Sequence, residues 1–328
     1  MQSVAASHIQ LPSTSYSLLG RSRAGDGTTF VIPELKWMFD CGALVEGKGL
    51  RQPNIIWLTH THSDHVLTLA QFCHSRDALN AKTPLSIYLP ATALPFVQQY
   101  LEVYGEMITM GNVNEEGKSY RECYQLIGVT PHQEITIHQG GKDFYVKVVE
   151  CVHRVDCLGY SIWERQHKLK EEYRGLPGKE IGALRKSGVE ITSVVERPLL
   201  CYMGDTTAGV FSKHPEILLQ MPALVVECSF LDEDSLENAK RTKHMHWSEL
   251  QPLVQGNPNT LFVLTHFSLK YSVLFLRNFF LEYANVHPML VESELQQEWK
   301  ARQQKSLTND SFPTCRCFVC SGKKDPAG

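Results

Sequence analysis

The chain has no run of eighteen apolar residues. Its most apolar stretch, 261–284, is interrupted by His266, Lys270 and Arg277, so no membrane-crossing helix is expected. It has no surplus of one charge either: 32 Lys and Arg stand against 35 Asp and Glu. That excludes a generally polybasic nucleic-acid binder, and any nucleic-acid site must be a local patch on a near-neutral body. Internal repeats and low-complexity tracts are missing. The first charged side chain is Arg21, and no compact apolar block precedes it. Neither a secretory signal nor an Arg-rich transit peptide is therefore expected. Cysteine is not scarce, with ten in 328 residues, but most are scattered singly through apolar segments, as Cys41, Cys151, Cys201 and Cys228 are. Such spacing fits buried free thiols in a reducing compartment better than a disulfide framework, so the cytoplasm or nucleus is the expected location.

What the chain does have is alternation. Short runs rich in β-branched and aromatic residues recur at 28–32, 36–40, 54–59, 144–149, 198–204, 223–228 and 260–265. Each has the length of a strand. Helical periodicity fits 65–79, 91–104, 247–255 and 271–283. Strands that come first in bursts and later alternate with helices predict an α/β layered fold. Three stretches stand apart: a polar, Gly-containing segment at 106–120 that reads as a loop, a charged and helix-prone insertion at 164–197, and a polar tail from 309 to 328.

The strongest chemical signal is His60-Thr61-His62-Ser63-Asp64-His65, directly after the strand-like NIIWL. Three imidazoles and a carboxylate at a strand-to-helix junction can converge on one point, and that donor set suits zinc and similar borderline metals. Further ligands would be needed. His153, Asp205 and His266 each follow a predicted strand, where layered α/β folds place binding groups. Taken singly, each is equally a histidine satisfied by backbone or an aspartate in a turn.

These residues carry a resemblance. The chain resembles the metallo-β-lactamase superfamily and, within it, the tRNase Z family, over roughly residues 15 to 285. HTHSDH (60–65) is similar to the superfamily's metal cluster, and CVHRVDCLGY (151–160) to the stretch where a ligand His precedes a Gly-Tyr pair. MGDTT (203–207), VECSF (226–230), KHMHWSEL (243–250) and LTHFSLKYS (264–272) resemble the remaining site segments. The superfamily motifs are shared by many hydrolases. The discriminating segment is 168–192, which resembles plant short-form tRNase Z.

The resemblance implies two zinc ions per chain, one bound by His60, His62 and His153, the other by Asp64, His65 and His266, with Asp205 bridging. Ions so held could polarise a phosphoryl oxygen and lower the pKa of water towards neutrality. Asp64 has a second implied task, orienting the attacking water. The leaving sugar oxygen needs a proton, for which the resemblance implies His244 as donor, with Glu227 fixing its tautomer. Read alone, His244 and His246 are equally two exposed loop histidines. His246 stands where the family has Thr, and it could assist His244 or merely pack. The GRSRAGDGTTF segment (20–30) carries Arg21 and Arg23 but lacks the Pro/Lys/Arg-rich loop of bacterial relatives. The resemblance therefore implies nothing about exclusion of CCA-bearing tRNA.

Within the insertion, Arg165, Lys168, Lys170, Arg174, Lys179, Arg185 and Lys186 stand against three Glu. Phosphate contacts give salt-sensitive affinity without reading sequence, and an RNA-holding arm is expected here. Cys315, Cys317 and Cys320 could bind a structural metal, but no fourth ligand lies nearby, and a tail is the simpler expectation. The expected fold is a four-layer αβ/βα sandwich of two mixed sheets with a projecting helical arm. Residues 1–308 form the hydrolase domain and 309–328 the tail. The expected activity is removal of the 3′ trailer from precursor tRNA by a homodimer without membrane attachment. Two rivals stay open: a hydrolase of a small substrate, such as a glyoxalase II-like thioesterase or a phosphodiesterase, and a non-catalytic RNA-binding subunit.

Overall fold

The computed structural model describes residues 7–43, 52–78, 83–110 and 124–290. Tail residues Cys315, Cys317 and Cys320 lie outside them. The first half of the chain forms a seven-stranded sheet in sequence order: β1 (Ser7–Gln10), β2 (Ser17–Arg23), β3 (Gly27–Ile32), β4 (Trp37–Phe39), β5 (Ile55–Trp57), β6 (Leu85–Pro90) and β7 (Tyr124–Val129). Strands β1 to β4 run antiparallel, and β4 to β7 pair in parallel. The parallel crossovers carry the helices α1 (Ser63–Val66), α2 (Leu69–Ala78) and α3 (Leu94–Thr109).

The second half repeats the scheme. Strands β8 (Glu134–Gln139), β9 (Lys142–Glu150), β10 (Leu158–Leu169) and β11 (Thr192–Met203) are antiparallel neighbours. From β11 the sheet continues in parallel through β12 (Ala223–Glu227), β13 (Leu261–Thr265) and β14 (Val286–Pro288). Its helices are α4 (Gly178–Lys186), α5 (Gly209–Lys213), α6 (Pro215–Gln220), α7 (Leu236–Thr242), α8 (Trp247–Gly256) and α9 (Val273–Phe279).

Period-2 alternation builds the layers. In β5, Trp57 enters the cluster between the sheets, which includes Phe30, Phe39, Phe144 and Tyr160, while Ile56 joins the cluster under α2 and α3. In β12 and β13, Val225 and Val263 face the same inter-sheet cluster, and Leu224, Val226 and Leu264 pack under the helices of the other face. Strands buried on both faces read as continuous apolar runs, which is why these were visible in sequence. The result is the expected four-layer α/β sandwich. The six described cysteines are all buried free thiols. No helix among the described residues is long and apolar enough to cross a membrane.

Three expectations need correction. The 106–120 segment is not all loop, since α3 continues to Thr109; residues 111–120 lie outside the described ones. The helix read at 65–79 is two elements, α1 and α2. The arm is helical only near its tip. Its base is a ribbon in which β10 and β11 stay paired from Glu164–Arg197 out to Leu169–Thr192. Thr192, Val194 and Val195 are β-branched, and that preference outweighs the local charge. No residue of α4 is buried, so the tip does stand off the body.

Candidate metal centre

The parallel strands of both sheets end at one edge, and their terminal loops face each other there. From β5 come His60 and His62, and α1 presents Asp64 and His65 one turn later. The loop after β9 brings His153, β11 brings Asp205, and β13 brings His266. All seven predicted ligands come together. His60, His62, His153 and Asp205 offer donor atoms lying within 4.8 Å of one another, as do Asp64, His65 and His266. Asp205 lies between the groups: its Oδ2 is 3.6 Å from His60 Nε2 and 3.5 Å from His266 Nε2, and its Oδ1 is 3.4 Å from His65 Nε2.

The outer hydrogen bonds decide which nitrogen each ring turns inward. His153 Nδ1 donates to the Lys243 carbonyl (2.9 Å), and His65 Nδ1 to Asp40 (2.9 Å). The Thr59 hydroxyl donates to Asp40 (3.0 Å) and so accepts from His60 Nδ1 at 3.0 Å. Ser229 in turn donates to Glu227 (2.6 Å) and accepts from His266 Nδ1 at 3.0 Å. With Nδ1 engaged outward, each of these four rings turns its Nε2 towards the cluster. His62 faces them with Nδ1, 3.1 Å from His60 Nε2 and 3.3 Å from His153 Nε2. Fixing ligand tautomers by an outer ring of partners is how metal sites are held.

Imidazole nitrogens and carboxylate oxygens converging at that range are the donors a divalent cation takes. His65 Nε2 is buried and makes no hydrogen bond. The donor set thus fits divalent metal. The electrostatics agree. Burial, reinforced by His65, holds the His60 pKa well below its ordinary value. Burial opposes charge on Asp205, but the surrounding His266, His65 and His60 outweigh it and keep the carboxyl well below the usual range. Burial also opposes a charged His65, yet Asp205 and Asp40 raise its pKa well above normal. A cation would take the place of that proton.

Local backbone is bent to serve the cluster. Asp40, Lys243 and His266 are non-glycine residues with φ of 54°, 54° and 59°, a conformation of order 1–3 kcal/mol above the preferred basins that persists where surroundings enforce it. For His266 the N–H donates to Ser22 Oγ at 3.0 Å, and the carbonyl lies 3.0 Å from Ser229 Oγ. Gly42 packs so closely on α1 that a Cβ would lie 1.8 Å from the Asp64 carbonyl oxygen.

His244 Nδ1 lies 2.8 Å from Glu227 Oε1, and Glu227 is further held by the Thr206 N–H at 2.9 Å. Burial favours a neutral His244, but Glu227 and then Asp205 overcome it and raise its pKa to about 9. The His244 side chain keeps 14% exposure, so it can meet a ligand entering the cleft. His246 is elsewhere. It caps α8, accepting from the Ser248 N–H at 3.2 Å, while its Nε2 contacts the Asp232 carbonyl at 2.8 Å. It packs and does not assist His244.

Sequence reasoning missed four supports. Asp40 ends the KWMFD strand, but nothing local says that it will reach His65. Thr59 and Ser229 are ordinary strand-end hydroxyls. Gly25, left-handed at φ 74°, gives its N–H to Asp64 at 2.7 Å from the β2–β3 turn. In that same segment Arg21 pairs with Asp26, and Arg23 donates to the Tyr271 carbonyl at 2.7 Å. Both arginines serve the fold.

The seven cationic arm residues are not alike. Arg165 is engaged at the ribbon base, 3.0 Å from Glu196 and stacked over Tyr145, and Arg174 pairs with Glu171 at 2.8 Å. Lys168, Lys179, Arg185 and Lys186 are exposed, Lys170 is half-buried, and none of the five forms an ion pair among the described residues.

The sequence and the fold both have known relatives. A family model described as the metallo-beta-lactamase superfamily matches residues 27–143. The tRNase Z TRZ1 of Arabidopsis thaliana is 31% identical over 260 residues, covering 79% of this chain and 87% of that protein. The chloroplastic tRNase Z TRZ2 of the same plant is 31% identical over 261 residues, covering 79% of this chain and 69% of the relative. Among solved structures, the metallo-beta-lactamase fold protein YhfI from Bacillus subtilis aligns with a TM-score of 0.53 at 15% identity, over 88% of this chain and 95% of that one.

Proposed function

The chain belongs to the tRNase Z family of the metallo-β-lactamase superfamily, and from that premise we propose that it is a metal-dependent endoribonuclease that removes the 3′ trailer from precursor tRNA. The observation that carries the reading is the His244–Glu227 pair set 3.8 Å from Asp205. A hydrolase whose leaving group departs without help has no need of a buried carboxylate holding a proton on a histidine beside the ligand cluster.

The reading assigns two zinc ions, one to His60, His62 and His153, the other to Asp64, His65 and His266, with Asp205 shared. Bound there, such ions polarise a phosphoryl oxygen and bring the pKa of water towards neutrality. The chain's own residues do the rest. Asp64, oriented by the Gly25 N–H, has a carboxylate oxygen available to accept a hydrogen bond from the attacking water. Glu227 holds the proton of His244 Nδ1, which leaves Nε2–H of the charged ring to be given to the sugar 3′-oxygen as its bond to phosphorus breaks. The ring returns to neutral, its tautomer kept by Glu227. The products are then a 3′-hydroxyl on the tRNA and a 5′-phosphate on the trailer.

The cations of the arm supply affinity that reads no sequence, as a substrate class sharing shape requires. A homodimer belongs to the same reading. In support, α3 leaves Phe96, Tyr100, Val103 and Met107 exposed along one face, apolar surface of the kind that marks protein contacts.

The test compares three substrates: a 3′-extended pre-tRNA, an unfolded RNA of equal length, and a glutathione thioester. Preferential cleavage of the folded RNA is expected. Rapid thioester hydrolysis with neither RNA cut would overturn the reading in favour of a small-substrate hydrolase.

A further inference from the structure

A cavity of about 330 Å³ opens beside His153 and, of the seven ligand candidates, touches only that one. It is walled by the turn after β6, the turn after β7 and the loop 150–158, so it lies between the two sheets at the edge where the ligand loops meet. Its walls include Pro90, Val129 and Pro131, and its cations are Arg154, Lys213 and Lys243.

The charges divide into occupied and available. Lys213 pairs with Glu150 at 2.9 Å, and Asp156 accepts from Thr92 at 2.7 Å. Lys243 donates to the His153 carbonyl at 3.2 Å. Arg154 is exposed and makes no hydrogen bond or ion pair among the described residues. Its charge nevertheless reaches the centre, where it disfavours protonation of His62 and of His244. A guanidinium left unpaired beside a phosphodiester-cleaving centre, at the mouth of a cleft that Pro90, Val129 and Pro131 partly line, suits a phosphate on one side and a nucleobase on the other.

We propose that this cavity is the binding site for the nucleotide next to the scissile bond, with Arg154 clamping the phosphate that flanks the one being cut and Pro90, Val129 and Pro131 receiving its base. The inference rests on the endoribonuclease reading and adds a subsite that positions the strand. Arg154 is a binding residue for a non-reacting phosphate; it supplies no proton and coordinates no metal.

A neutral-linkage scan tests it. Pre-tRNAs are prepared with a single methylphosphonate at each phosphate within two positions on either side of the cut, and kcat/KM is measured for wild type and Arg154→Ala. One charge-assisted phosphate contact contributes roughly 10- to 100-fold. One position flanking the cut should therefore lose that factor in wild type. Arg154→Ala should lose a similar factor on the all-phosphate RNA and nothing further on the RNA neutralised at that position, because the partners of one contact are not additive. Arg154→Lys should recover part of the loss. Losses that multiply, or a scan with no sensitive flanking position, would overturn the subsite while leaving the nuclease reading intact. Failure of wild type to cut any of these RNAs would overturn that reading and the subsite with it.

Discussion

Removing His244 should separate two substrates by the quality of their leaving groups. An RNA 3′-alkoxide is strongly basic and departs slowly without a proton, and a positioned acid contributes about 10²–10⁴-fold. At about 1.36 kcal/mol per factor of ten, His244 would supply roughly 3–5 kcal/mol of barrier lowering. Glu227 is 1% exposed, its Oε1 is 2.8 Å from Nδ1, and the pair raises the His244 pKa to about 9. A nitrophenolate needs no proton, so His244→Ala should cripple pre-tRNA cleavage while leaving bis(nitrophenyl) phosphate turnover and metal content near wild type. Glu227→Gln should act more mildly. Without the carboxylate the ring moves towards its ordinary pKa of about 6.5, so that at pH 7.5 about one tenth remains protonated. A loss of about tenfold or more on RNA is then expected at that pH, since burial also favours the neutral ring. The sign is fixed: a raised pKa keeps the acid protonated below it, and activity falls as pH rises through it. The alkaline limb of the RNA profile should therefore shift to lower pH in Glu227→Gln. Single-turnover assays on both substrates, with elemental analysis of each variant, supply the measurement. Equal losses on both would show that His244 supports the metal site or the fold, and an unmoved alkaline limb would refute the role given to Glu227.

Asp205→Ala should lose at least one of two metal ions per chain by elemental analysis, because its carboxylate faces both groups of ligands; one ion in wild type and variant alike would refute a dinuclear centre. Asp40→Asn should weaken metal affinity roughly 10- to 100-fold in a chelator competition, as loss of an outer partner does, since Asp40 accepts a hydrogen bond from His65 Nδ1 at 2.9 Å. It should also lower thermal stability, because Asp40 accepts from the buried Thr59 N–H at 2.8 Å and from Tyr202 at 3.2 Å. Replacing residues 170–190 with a short Gly-Ser linker should weaken pre-tRNA binding and reduce the salt slope by roughly 0.7–0.9 for each phosphate that the arm no longer neutralises. Unchanged RNA affinity would make α4 merely a solvated helix.

The ligands were legible for a physical reason. Each sits where an apolar run stops, so the strand that placed it could be seen first, and His60 to His65 is dense enough to stand out without a fold. Strands buried on both faces, such as β5, β12 and β13, announced themselves as continuous apolar runs. Some of the strands that sequence reading passed over, β7 and β8 among them, are half-exposed or mixed. In β8 the residues alternate exposed and half-buried, and β10 interleaves Trp163 with Glu164 and Arg165 as it leaves the core for the ribbon. The supports of the site were hidden for a different reason: Asp40 to His65 spans 25 residues, and Gly25 to Asp64 spans 39. No local pattern records such contacts. His246 could not be decided from its neighbours either, because its cap on α8 and its bond to the Asp232 carbonyl exist only once the loop before α8 has folded.

The most direct test of the account is to map, to the nucleotide, where the purified protein cuts a 3′-extended precursor tRNA, with the end groups identified and a chelated sample alongside. A single cut at the junction of tRNA body and trailer, leaving a 3′-hydroxyl and a 5′-phosphate, lost on chelation and restored by zinc, is the predicted result. Cuts scattered through the body, a 2′,3′-cyclic phosphate end, or cleavage that survives full metal removal would contradict it.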